Sequence, residues 1–254
     1  MQLLSVLWMA GSLAGAAENP APVGQEGFAH PELLVDTEWV AEHLSEAGVR
    51  LVDARSAEDY ASGHIPGAVS IPRSDTFDPD AARGMVGRAR RLAALFGARG
   101  IDEKVHVVVY DKGLSNAAAR VFWTLEYYGH PHVSLLDGGI GKWVSESRGL
   151  STESPEVAPA RFDAAAVEDL LATKDELVSD IGATGVVMLD MRSTGEYTGE
   201  SVRAERSGHI PEAVHIEWTD NFTAGDTPVL KSPRELRKMY EDAGVTPDKR
   251  VHAY

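Results

Sequence analysis

The chain has 254 residues, a length that fits one or two domains, and its 43% apolar content is that of an ordinary globular protein. It carries no cysteine, which excludes disulfides, a thiolate zinc site and a thiol nucleophile within these residues. A net charge of −15 excludes the basic footprint that sequence-independent nucleic-acid binding needs.

The elements can be read in chain order. Leu3 to Ala14 is a short apolar run followed by Gly15-Ala16-Ala17. This is the pattern of a secretory signal peptide over residues 1–17, too short to span a bilayer, although no Lys or Arg precedes Arg50. A secreted or periplasmic location follows as an expectation. Residues 18–29 read as a flexible leader. Thr37 can cap a helix over 38–47 that Gly48 ends. Arg50 to Ala54 reads as a short buried strand, and Ser56 with Asp59 opens a short helix. Gly63-His64-Ile65-Pro66 is a turn, and Ala68 to Ile71 a second strand. Residues 87–98 read as helix. Val105 to Tyr110 is a continuous β-branched run, the mark of a strand buried on both faces. Residues 115–128 form an amphipathic helix, Val133 to Leu136 another strand, and Asp137-Gly138-Gly139 leads into a helix carrying Trp143. Strands separated by helices imply an α/β domain with a mainly parallel sheet.

Residues 151–160, with two prolines and no periodicity, read as a linker to a second unit over 161–254. That unit repeats the first. Asp53-Ala54-Arg55-Ser56, Tyr60 and Gly63-His64-Ile65-Pro66 return as Asp190-Met191-Arg192-Ser193, Tyr197 and Gly208-His209-Ile210-Pro211. Gly100 to Tyr110 returns without a gap as Gly244 to Tyr254. A period of about 140 residues is a whole domain rather than a solenoid unit. In the second copy a helix is expected over 167–181, a strand over 186–190, a charged surface insertion around Glu200, Arg203, Glu205 and Arg206, and a helix from a cap at Ser232. A final strand is expected over 250–254. Residues 111–150 of the first copy have no counterpart, so the second copy is expected to be an incomplete domain.

Three features could carry chemistry. Asp-x-Arg ends the first strand of each copy, where parallel sheets bind ligands. Arg55 and Arg192 can fork onto an oxyanion there, or form an internal pair with Asp53 and Asp190 that pins a loop. His64 and His209 each stand alone before a proline and read as histidines closing a turn rather than as metal ligands. The loop after Tyr110 runs from a buried strand to a helix N-terminus, a geometry whose N–H groups converge on an anion. A cysteine at its first position would be a depressed-pKa nucleophile. The first copy has Asp111 there, with Lys112 beside it free to pair with Asp111 or with solvent.

Taken together, the blocks resemble the tandem rhodanese family of thiosulfate and 3-mercaptopyruvate sulfurtransferases. The resemblance rests on Leu51 to Arg55, Gly63 to Ala68, Val107 to Asp111, Ala119 to Trp123 and Val133 to Gly139 with Trp143. In the second copy it rests on Leu189 to Arg192, Ser207 to Ala213 and Pro247 to Tyr254. It implies two rhodanese-like α/β domains, the first non-catalytic with Asp111 in place of the nucleophile. The catalytic Cys would follow Tyr254 at position 255, one beyond the last residue, so these 254 residues are expected to be inactive. Arg192 would bind a small anionic sulfur donor, and cyanide or a thiol would accept the sulfur. The resemblance implies no cofactor and no metal, and no nucleic-acid or membrane partner for the mature chain. Two rivals remain: a non-catalytic pair that binds anions or partners, and a phosphatase or arsenate-reductase relative on the same fold.

Overall fold

A computed structural model of the chain describes residues 27–82, 84–114 and 116–254. The expected signal peptide and most of the leader lie outside the described residues. The first copy contains strands β1 (Leu34–Val35), β2 (Val49–Asp53), β3 (Val69–Ser70), β4 (His106–Tyr110) and β5 (Val133–Leu136). Its helices are α1 (Thr37–His43), α2 (Ala57–Ser62), α3 (Ala89–Gly97), α4 (Ala117–Tyr127) and α5 (Gly139–Ser145). The strands form one parallel sheet in the order β1-β5-β4-β2-β3. Val107, Val108, Val109 and Tyr110 at its centre are fully buried, as their β-branched run requires. One apolar cluster, with Leu92, Phe96, Val121, Phe122 and Leu125, covers one face; Val40, Ile65, Ile140 and Trp143 cover the other.

The second copy contains α6 (Lys174–Asp180), β6 (Val186–Asp190), α7 (Thr194–Thr198), β7 (Val214–His215), α8 (Pro233–Asp242) and β8 (Arg250–Ala253). Its parallel sheet runs β7-β6-β8, the counterpart of β3-β2-β4. The register repeats too. Asp53 lies opposite Ser70 as Asp190 lies opposite His215.

Several sequence expectations need correction. The cap of α1 is Asp36, whose carboxylate accepts from Trp39 N–H at 2.8 Å. Thr37 is instead the first helical residue, and its buried hydroxyl donates to Glu146 at 2.6 Å. The helix expected over 167–181 is broken into a 3-10 turn at Glu168–Leu170 and α6. Thr173 and Glu176 form a reciprocal capping box that starts the helix anew. The apolar residues before it stay on the first copy: Phe162 packs edge-on against Phe96 at 5.1 Å, and Val167 N–H donates to Tyr127 O at 2.7 Å. Burying such a phenyl group contributes roughly 1.5–3 kcal/mol, so residues 161–167 hold to the first core before the chain enters the second unit. The 151–160 segment is docked as well. Ala160 N–H donates to Gly97 O at 2.9 Å, a Cβ on Gly97 would come within 2.5 Å of Ala160 O, and Ser151 bridges to His64. Of the expected flexible leader, Phe28 packs against apolar clusters of both copies.

Candidate functional site

Both copies build the same frame at the carboxyl end of a strand, β2 in the first and β6 in the second. In the first, Arg55 meets Asp53 through Nε at 3.0 Å and Nη2 at 2.6 Å, and Arg55 N–H also donates to the carboxylate at 3.0 Å. Nη2 then reaches the Gly63 carbonyl at 2.7 Å. In the second, Arg192 repeats each contact, with Nε to Asp190 at 3.0 Å and Nη2 to the Gly208 carbonyl at 2.9 Å. Of the two alternatives for Asp-x-Arg, the geometry is thus an internal pair that pins the Gly-His-Ile-Pro turn. Burial alone would raise the Asp190 carboxyl, but the Arg192 hydrogen bonds outweigh it and hold it below the usual range.

The turn is fixed from two further sides. The hydroxyl oxygen of Tyr110 accepts Ile65 N–H at 3.0 Å, and that of Tyr254 accepts Ile210 N–H at 2.9 Å. His64 stacks on Tyr60 at 3.9 Å and His209 on Tyr197 at 3.8 Å. Each histidine Nδ1 bonds the carbonyl of the tyrosine it stacks on. Both are therefore held as turn-closing groups, and among the described residues no cluster of His, Asp and Glu is arranged to hold a metal ion.

The copies differ in cover. Ser151 and Glu153 lie over the first turn, with Glu153 O at 3.2 Å from His64 Nε2. The Arg55 side chain is 8% exposed there, whereas that of Arg192 is 33% exposed. Arg192 stands with its guanidinium 5.2 Å from the centre of the Tyr254 ring.

The loop after β4 shows what the frame serves. Asp111 is buried, and its two carboxylate oxygens accept Gly113 N–H and Ala118 N–H, each at 2.8 Å. Ala118 is in the first turn of α4, so the carboxylate satisfies an orphan donor at the positive end of the helix. The loop is an anion cradle, and Asp111 supplies the anion. The cradle closes because Gly138 and Gly139 pack on it. A Cβ on Gly113, at φ +116°, would come within 2.5 Å of Gly138 O, and one on Gly139 within 2.5 Å of Asp111 O. Lys112 pairs with neither Asp111 nor solvent alone: its Nζ lies 3.5 Å from Asp59. In the second copy Tyr254 N–H donates to Leu189 O, and Tyr254 O accepts Met191 N–H. Tyr110 O accepts Ala54 N–H in the same register. Tyr254 thus stands in the register of Tyr110.

Sequence reasoning missed the tyrosine hydroxyls, although Tyr110 and Tyr254 recur in register with both turns. It also missed the link between copies in which Leu230 N–H donates to the half-buried Asp137 carboxylate at 2.9 Å.

The fold and site define a tandem α/β protein with its Asp–Arg turn frame in duplicate and an anion-holding strand–loop–helix in the first copy. The Rhodanese-like domain family matches residues 36–146 and 173–254, and the chain belongs to that family. It is 38% identical over 248 residues to the sulfur carrier protein TtuD of Thermus thermophilus, covering 90% of this chain and 84% of that one. It is 34% identical over 227 residues to a thiosulfate sulfurtransferase of Pseudomonas aeruginosa, covering 88% and 82%. Among solved structures, SseA of Escherichia coli, described as a 3-mercaptopyruvate sulfotransferase with the rhodanese fold, superimposes with a TM-score of 0.79. The two are 28% identical, over 87% of each chain.

Proposed function

We propose that this is a sulfurtransferase that moves a sulfane sulfur from thiosulfate or 3-mercaptopyruvate to a thiol or cyanide through a cysteine persulfide. The observation that carries the reading is the cradle of Asp111. Two N–H donors and a helix N-terminus are aimed at the residue that follows the β4 tyrosine, and the β8 tyrosine stands in the same register. A thiol placed there is held as thiolate by the same forces that hold the carboxylate. The thiolate attacks the outer sulfur of thiosulfate, the S–S bond breaks, and sulfite leaves with the electron pair. The acceptor then attacks the outer sulfur of the persulfide, and the thiolate is regenerated. With cyanide the product is thiocyanate.

In this reading the nucleophile is a Cys at position 255, and Arg192, one-third exposed beside Tyr254, attracts the donor's charge. The first copy serves as the non-catalytic partner, because a buried carboxylate neither acts as a thiolate nor leaves its cradle open. The export pattern of residues 1–17 supports a secreted or periplasmic setting, and N-terminal sequencing of the mature protein tests it. The names of TtuD and of the Pseudomonas protein both describe sulfur handling, which supports the chemical class.

The test is thiocyanate formation from thiosulfate and cyanide. The cysteine-free 254-residue chain is expected to show none, and a form with Cys at position 255 and the loop after it should gain the mass of one sulfur atom on that residue. Turnover by the cysteine-free chain, or a residue other than Cys at position 255, overturns the reading. The self-filled cradle of the first copy favours one alternative, a non-catalytic pair that binds anions. That alternative is the outcome if position 255 is not Cys.

A further inference from the structure

The outer side of the Asp111 loop opens into a cleft of about 350 Å³, lined by Arg55, Ser56, Asp59, Arg73, Ser74 and Lys112 among others. Its charges do not balance. Arg55 is matched by Asp53 at 2.6 Å, and Lys112 by Asp59 at 3.5 Å. Among the described residues, the side-chain hydrogen bond of Arg73 goes to a neutral oxygen, Oδ1 of Asn116. Next to it lies Arg120 of α4. Both guanidinium groups stand on the same Phe77 ring, with their central carbons 5.7 Å (Arg73) and 4.8 Å (Arg120) from its centre.

Arg120 is 7% exposed, its Nε bonds Thr76 Oγ1 at 3.2 Å, and its Nη2 is buried with no hydrogen-bond partner. Among the described residues neither Arg73 nor Arg120 forms a salt bridge with a carboxylate. Burial first, and then the charge of Arg73, pulls the Arg120 pKa down to about 10. A buried guanidinium with an empty donor is costly unless a partner arrives. Phe77 and Trp123, the latter 5.2 Å away, offset part of that cost through their ring faces, but they cannot take up a directed N–H bond.

We propose that Arg73 and Arg120 form an anion site in the non-catalytic copy, taking a small tetrahedral dianion such as sulfate, thiosulfate or phosphate. Two cations that share one aromatic ring, neither matched by a carboxylate among the described residues, call for two negative charges, and guanidinium N–H groups suit the oxygen spacing of such an ion. The hydroxyl of Ser56 in the cleft wall adds a neutral donor. Of the carboxylates nearby, Asp53 is engaged by Arg55, Asp59 by Lys112 and Asp111 by its own loop, while Asp75 accepts from Ser74 at 3.4 Å and, among the described residues, pairs with neither arginine. The site is distinct from the cradle, and it does not depend on the sulfur-transfer reading.

Isothermal titration of the full chain with sulfate, thiosulfate and phosphate tests the site, with chloride holding the ionic strength constant. At least one of the three should bind saturably, and Arg73→Gln should weaken it about tenfold or more. Arg120→Met should abolish it. Because Arg120 is buried, its variant may be judged only if its melt remains cooperative; the half-buried Arg73 supplies the deciding variant. Tighter binding of thiosulfate than of sulfate would assign the site to sulfur donors, and equal binding to oxyanions generally. The proposal is overturned if none of the three anions binds saturably, or if Arg73→Gln binds as the parent does.

Discussion

The turn that follows β2 and β6 is built from the same residues in both copies and covered differently. In the first, Ser151 and Glu153 lie over it, His64 is fully buried and Arg55 is nearly so. In the second, His209 is exposed and a third of the Arg192 side chain is open to solvent. The Asp–Arg pair, the tyrosine hydroxyl and the stacked histidine are common to both, so they belong to the scaffold. Exposure is what separates a scaffold arginine from one able to meet a ligand. The loops divide in the same way: the first copy places its own carboxylate in the cradle, which makes that half self-contained.

Removing the carboxylate of the pair should have the largest effect of any single substitution, and an unequal one. Asp53→Ala strands a buried guanidinium and should cost about 3–5 kcal/mol. Asp190→Ala should cost less, because water reaches Arg192. Denaturant melts of the two variants measure this, and equal losses would break the distinction between covered and open frames.

Acid should weaken the first copy next. Burial first, and then neighbouring histidines, hold His106 and His130 at about 4, against an ordinary value of 6.5. The folded values lie below the unfolded one, so the stability they contribute is fully present above about pH 6.5. It is lost as pH falls toward about 4, by roughly 3 kcal/mol for each fully titrated group. Melts between pH 7 and pH 4 check this, and a flat profile would contradict it.

Gly113→Ala forces a Cβ against Gly138 O at a positive φ and should cost about 1–3 kcal/mol. Ser56→Ala removes the acceptor for Asp59 N–H at 3.1 Å and should cost only about 1 kcal/mol, a helix cap being a local contact.

Much of this was legible before the structure. The β-branched run at 105–110 marked a strand buried on both faces, and residues 186–190 read as a strand in the same place of the second copy. The repeat aligned Asp111 with the position after Tyr254, and the strand–loop–helix order pointed to an anion cradle. Less legible were places where a distant residue decides the outcome. Thr173 and Glu176 did hold the capping signal that breaks the helix expected over 167–181, but the apolar residues before it follow the core of the first copy. Phe28 and Phe162 looked like leader and boundary because their partners, such as Phe96, are far off in sequence. The Arg120–Thr76 and Leu230–Asp137 contacts span 44 and 93 residues, and no local pattern announces them.

The cradle itself can be tested at Asp111 of the first copy. Asp111→Cys places a single thiol in a chain that has no other. Its pKa, followed by the ultraviolet absorbance of the thiolate, should fall at least about one unit below the ~8.5 of a free cysteine, because the Gly113 and Ala118 N–H groups and the α4 terminus favour the anion. A thiol pKa at or above ~8.5 in a folded variant would contradict the claim that this loop is built to hold a negative charge.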